Sequence, residues 1–205
     1  MFDKQFIVIE GIDASGKSTQ AELLEQYLLD RGGKVVISPE PSSGIIGNLI
    51  RQSLKQRILF SKDKNLFDEQ MAYLFAADRH DHLYNDFDGV YKLIDDDFDV
   101  ISTRYYFSSL AYNSDTSEQF DFISRLNHKF PPPDATIYLD LTVDKALERM
   151  QSRSHLEVYE TKEKLTKVRA NYQHIFGNYS HKLLTINAEE SIESIHQKIV
   201  NFVSS

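Results

Sequence analysis

One stretch, FIVIEGIDASGKSTQAELLEQYL from Phe6, constrains the fold of this chain more than all the rest. Phe6 to Ile9 is a short apolar run that reads as a buried strand. Gly11-Ile12-Asp13-Ala14-Ser15-Gly16-Lys17-Ser18 then fits G-x-x-x-x-G-K-[ST] in full. From Lys17 the pattern turns helical, with Ala21, Leu24 and Leu28 on one face and Gly32-Gly33 as the stop. Strand, loop and helix in that order make a phosphate cradle. The glycines let the backbone curl so that its N–H groups point inward, and the helix adds its positive end. Lys17 should reach the β- and γ-phosphates, and the Ser18 hydroxyl is placed to ligate Mg²⁺. The expected ligand is ATP, held by Gly11, Ile12, Asp13, Ala14, Ser15, Gly16, Lys17, Ser18 and Thr19. Such a cradle does not name the acceptor, because small-molecule kinases, switches and motors share it.

Downstream, short apolar runs alternate with helical patterns. Val35 to Ile37, DVIS, ATIYLDL and LLTIN read as strands. IIGNLIRQSL, Asn65 to Asn85, Tyr105 to Asn113, Val143 to Gln151, Glu160 to Phe176 and Ile192 to Val203 read as helices. The strands are near-continuously apolar, so the expected architecture is a mostly parallel five-stranded α/β sheet with helices on both faces. At 205 residues, one domain over 1–205 is expected. The acidic run Asp95-Asp96-Asp97 with Asp99 reads as a solvated loop.

Composition narrows the partners. The formal net charge of -8 lacks the basic footprint of a nucleic-acid binder. With no cysteine, a disulfide framework and a thiolate metal site are both excluded. No stretch reaches the roughly 20 apolar residues of a membrane span, and the first ten residues do not read as a signal peptide. A cytoplasmic protein is expected, with no nucleic acid and no membrane partner.

Three further stretches, LFAADRHDHL, VISTRYYFSSLAYN and FPPPDATIYLDL, join IEGIDASGKST in a resemblance that covers nearly the whole chain. Together they resemble the thymidylate kinases, which are P-loop nucleoside-monophosphate kinases of three-layer fold that convert dTMP to dTDP with ATP. The resemblance implies roles residue by residue. Phe75 would stack on thymine, since aromatic faces suit bases. Arg79, a donor-only fork, would bond a thymine carbonyl. Arg104 would clamp the monophosphate and offset the repulsion between two phosphates. Arg51 would be a second phosphate-facing arginine. Asp13 would meet the acceptor's 3′-hydroxyl and lie near the metal. Glu10 and Glu40 match acidic positions near the phosphates, Glu40 on the dTMP side; a buried strand-end carboxylate with a structural partner is the alternative for both. Tyr112 would lie under the sugar and crowd a 2′-hydroxyl. Ser108, Ser109 and Asn113 are polar candidates for reading thymine N3–H. The resemblance also implies a homodimer.

The sequence departs from the family pattern in three places. Thr103-Arg104 stands where Asp-Arg is usual, Pro39 stands where arginine is common, and the phosphate loop carries no arginine. A mobile lid over about 149–160 would then supply cations. Arg153 is the candidate for closing over ATP, Arg149 for ending a helix or stacking on adenine, and Val158 takes a position that is often arginine. Donor and acceptor are both phosphate oxygens, so no general base is required; positioning and charge neutralisation carry the reaction. Lys17, Arg104, Arg153 and Asp13 are the expected catalytic residues, with Ser18 and Asp13 toward Mg²⁺. Rival readings are a kinase acting on dUMP or several deoxynucleotides, a nucleoside kinase, and a nucleotide-binding relative with catalysis weakened by Thr103.

Overall fold

The computed structural model describes residues 4–151 and 161–205. Five strands, β1 (Phe6–Glu10), β2 (Val35–Ile37), β3 (Asp99–Thr103), β4 (Ala135–Asp140) and β5 (Leu183–Asn187), form one sheet in the order β2-β3-β1-β4-β5. Every pairing is parallel, so the sheet is wholly rather than mostly parallel. Successive side chains on a strand point to opposite faces. All residues of β1 are nevertheless buried, so both of its faces are covered. The covering helices are α1 (Lys17–Asp30), α2 (Ile45–Leu54), α3 (Lys64–Tyr84), α4 (Val90–Asp95), α5 (Tyr106–Tyr112), α6 (Ser117–Asn127), α7 (Val143–Met150), α8 (Lys162–Gly177) and α9 (Ile192–Val203).

The strand order decides where a ligand can sit. β1 lies between β3 and β4, and the chain crosses over it in passing from one to the other. At such a switch point the loops leaving neighbouring strands diverge and open a crevice beyond their carboxyl ends. The loop after β1 is the glycine-bounded cradle, and the residue after β3 is Arg104.

Two helices, α4 and α6, were not predicted. α4 is only 6 residues long, and α6 rests on a capping box: Thr116 accepts from Gln119 N while the Gln119 side chain accepts from Thr116 N. Asp99 is also not simply solvated. It starts β3 and accepts from Gln5 N at 3.0 Å, fixing the chain ahead of β1. Among the described residues no helix is long and apolar enough to cross a membrane.

Between α5 and α6, Asp115 accepts from Lys64 Nζ at 2.9 Å and Lys164 Nζ at 3.0 Å, tying α3 to α8. Burial works against its charge, but the two lysines prevail and hold the carboxyl well below the usual aspartate range. A depressed folded-state value stabilises the fold above the unfolded aspartate value, and that contribution disappears as pH falls through the folded value. Asp115→Asn is therefore expected to lower unfolding free energy by about 1 kcal/mol at neutral pH. In urea titrations the gap to the parent should narrow steadily once pH drops below the ordinary aspartate value.

Candidate functional site

The cradle after β1 forms by close packing. Gly11 has φ +149°, and a Cβ there would lie 2.6 Å from Leu139 O and 2.6 Å from Ser15 Oγ. Only glycine fits between those atoms. Gly16 has φ +99° and leads into α1, whose first residue is Lys17. Lys17 is buried and folds back over the loop, its Nζ donating to Gly11 O at 2.9 Å and Ile12 O at 2.8 Å. Ser18 and Thr19 are exposed on the first turn of α1. Arg149, in the last turn of α7, donates to Ala14 O at 3.1 Å and Ala188 O at 2.9 Å. It thus joins the cradle to the loop between β5 and α9. Arg153, Val158 and most of the expected lid fall outside the described residues.

Beside the cradle lies a cavity of about 290 Å³. Its walls include Asp13, Glu40, Arg51, Phe75, Arg79, Arg104, Ser108, Ser109, Tyr112 and Asn113. Every acceptor-side candidate from the sequence therefore meets at one place. Pro41, Leu54, Lys55 and Tyr105 also line it; nothing in their spacing marked them in the sequence.

Arg104 stands where the cavity meets the cradle. It is a non-glycine residue at φ +86°, a backbone conformation that persists only where the surroundings over-determine it. Its N–H donates to Ile9 O at 3.1 Å, and its carbonyl accepts from Ser102 Oγ at 2.9 Å. The guanidinium pairs with Asp13 Oδ1, donates to Ser108 Oγ at 3.2 Å, and lies over the Tyr112 ring at 4.9 Å. Burial alone would weaken its charge; Asp13, Tyr112, Tyr172 and Glu10 more than compensate, and the group stays cationic. Tyr112 donates from its hydroxyl to Asp13 Oδ2 at 2.8 Å, so both Asp13 oxygens are engaged.

Glu10, the last residue of β1, is fully buried. Its Oε1 accepts from Tyr105 N at 2.7 Å and Ser108 N at 3.2 Å, capping the start of α5 from a neighbouring strand. Its Oε2 accepts from Ser108 Oγ and Tyr172 Oη, both at 2.8 Å. Burial pushes this carboxyl up, against the pull of Arg104 and the hydrogen bonds. Glu10 is thus engaged within the fold by four donors.

The far end of the cavity is organised by α3. Arg79 is 1 % exposed. It donates to Glu40 Oε2 from Nε at 2.9 Å, to Asn127 Oδ1 at 2.5 Å and to Ser109 Oγ at 3.2 Å. Its second contact with Glu40 is 2.7 Å. One turn along, His82 Nδ1 lies 3.2 Å from Glu40 Oε1 and Nε2 lies 2.8 Å from Ser38 Oγ. Glu40 is thus held by two residues of α3, and it fixes the plane of the guanidinium. Arg51 donates to the carbonyls of Pro41 and Ser42, bracing the loop that carries Glu40. Phe75 belongs to the apolar group of Ile50, Phe67 and Met71 and also faces the cavity. Asn127 and His82 were missed in the sequence. His82 shares a helix face with Arg79, which was a usable signal.

The sequence model of the thymidylate kinase family matches residues 9–199. The chain belongs to the thymidylate kinase family. It is 37% identical over 201 residues to a probable thymidylate kinase of Methanococcus aeolicus, covering 96% of this chain and 94% of the relative. It is 35% identical over 202 residues to a putative thymidylate kinase of Treponema pallidum, covering 96% and 93%. The solved structure of thymidylate kinase from Candida albicans superposes with a TM-score of 0.75 over 98% of this chain and 92% of that one. At 23% identity that likeness speaks to the fold, a P-loop α/β sheet. Against the family pattern, Thr103 ends β3 and presents a neutral hydroxyl immediately before Arg104.

Proposed function

We propose that this chain transfers the γ-phosphoryl group of ATP to dTMP, giving dTDP and ADP. The observation that carries the reading is the convergence of all the acceptor-side residues on one cavity, with Arg104 at its junction with the phosphate loop. A dTMP phosphate oxygen attacks the γ-phosphorus in line, and the bond from that phosphorus to the β-phosphate oxygen breaks as ADP leaves. Lys17 would hold the β- and γ-oxygens, and Arg104 the acceptor phosphate, oriented by Asp13. Arg153 would add a cation on the donor side. Thymine would stack on Phe75 and face Arg79, with Ser109 and Asn113 beside it. Arg51 and Ser108 would support the phosphate end, and Tyr112 the sugar.

The donor set fits Mg²⁺ carried in with the nucleotide. Among the described residues no group of three or more His, Cys, Asp or Glu could hold a metal, while Ser18 is exposed beside Lys17. Mg²⁺ commonly keeps waters and phosphate oxygens as ligands, so Ser18 would be its protein ligand. Asp13, bonded to Arg104 and Tyr112, would act beside it. Bound there, the ion would neutralise charge on the β- and γ-oxygens. We also infer a homodimer in the cytoplasm; exposed Ile45, Leu66 and Tyr73 offer apolar surface for self-association.

The deciding assay is ADP release with Mg-ATP and dTMP, dUMP, dCMP, UMP or thymidine. Fast turnover is expected on dTMP and none on thymidine, which has no phosphate for Arg104. Comparable turnover on several monophosphates would keep the reaction and retract the base-reading roles of Arg79 and Ser109. Turnover on thymidine would overturn the assignment.

A further inference from the structure

We propose that Tyr172 is a positioning residue for Arg104, acting through Ser108 and Glu10, and that its hydroxyl sets the affinity of the cavity for the acceptor's phosphate. This rests on the reading of Arg104 as the acceptor clamp. Tyr172 lies on α8, remote in sequence from the residues that line the cavity, and is fully buried. Its neighbours on the buried face of α8 are Leu165, Val168 and Phe176. A phenylalanine would fill that space equally well. The tyrosine instead aims a hydroxyl at polar groups, 2.8 Å from Glu10 Oε2 and 2.8 Å from Ser108 Oγ.

Hydrogen-bond accounting shows what the hydroxyl does. Ser108 has one O–H, which it directs at Glu10 Oε2 at 2.8 Å, leaving its lone pairs for Arg104 Nη1 at 3.2 Å. Tyr172 likewise has one O–H, held on the phenol because burial and the Glu10 charge oppose its loss. With two protons for three oxygen pairs, it donates either to Glu10 Oε2, holding from a second side the oxygen that fixes Ser108, or to Ser108 Oγ itself; both arrangements restrain the Ser108 rotamer. The tyrosine ring also stands edge-on to Tyr112 at 6.3 Å, and Tyr112 is the ring under the guanidinium. Without the hydroxyl, Ser108 would keep its bond to Glu10 but lose the second constraint, and Arg104 would lose a fixed partner.

The test compares Tyr172→Phe with the parent protein by calorimetric titration of dTMP and of thymidine. The variant keeps every ring contact, so any effect belongs to the hydroxyl. Affinity for dTMP should fall about tenfold and KM for dTMP should rise in step, with KM for ATP and thymidine affinity unchanged. Ser108→Ala should weaken dTMP similarly, and the double variant should lose little more than either single one, because both act on one network. Equal weakening of dTMP and thymidine, unchanged dTMP affinity, or a variant that fails to fold would each overturn the proposal in favour of a structural hydroxyl. A parent protein that binds dTMP no more tightly than thymidine would retract the clamp role of Arg104, and the Tyr172 inference with it.

Discussion

Arg104→Met should lower kcat/KM for dTMP by about 10³-fold, roughly 4 kcal/mol of transition-state stabilisation. The loss has two sources. In the proposed reaction two anions must be brought together, and the guanidinium would be the cation on the acceptor side of that encounter. Removing it also takes from Asp13 Oδ1 and Ser108 Oγ the donor they share, and leaves the Asp13 charge without its arginine counter-charge beside the incoming phosphate. KM for dTMP should rise and kcat fall together, while affinity for ADP stays near the parent value. Arg104→Lys should recover only part of the loss, because an ammonium restores charge but not the two-pronged fork. Steady-state kinetics on the three proteins, with ADP titration as control, check this. A methionine variant within tenfold of the parent would mean that another cation holds the acceptor.

Lys17→Met should be as severe and opposite in distribution. The lysine is buried inside the loop and already holds the carbonyls of Gly11 and Ile12. It therefore orders the cradle as well as supplying charge. The expected result is a fall in kcat of about 10³-fold or more, with dTMP affinity close to unchanged. Single-turnover measurements separate the two effects: nucleotide binding should survive weakened, and phosphoryl transfer should nearly vanish. If dTMP affinity collapsed as well, the cradle and the acceptor cavity would have to be one cooperative unit.

The phosphate loop was legible because its chemistry forces a fixed spacing of glycines and lysine within eight residues, and no tertiary context can substitute for it. The strands were legible for a related reason: a parallel sheet covered on both faces favours near-continuous apolar runs, which Phe6–Ile9 and, apart from Thr136, Ala135–Leu139 supply. The acceptor residues came from the resemblance, and periodicity alone would have put Phe75 in the core. Helix α6 was missed although Thr116 and Gln119 carry a capping-box spacing, because that signal is short and follows a polar turn. Missing α6 hid Asn127, the residue that fixes one arm of Arg79. Tyr172 was unreadable for a different reason. A tyrosine at an apolar helix position looks like core, and only the position of Glu10 gives its hydroxyl a purpose.

Glu10 also bears on how the molecule comes into being. Its four donors come from Tyr105, Ser108 and Tyr172, separated from it by 95, 98 and 162 positions along the chain. Contacts of such separation carry a large loop-closure penalty and belong to the late stage of folding. The cradle shares this dependence, since β1 pairs with Val100–Thr103 and Ala135–Tyr138 and Gly11 packs against Leu139 O. Cradle and the pocket around Arg104 thus belong to one long-range assembly, and neither is complete before the sheet has closed on both sides of β1.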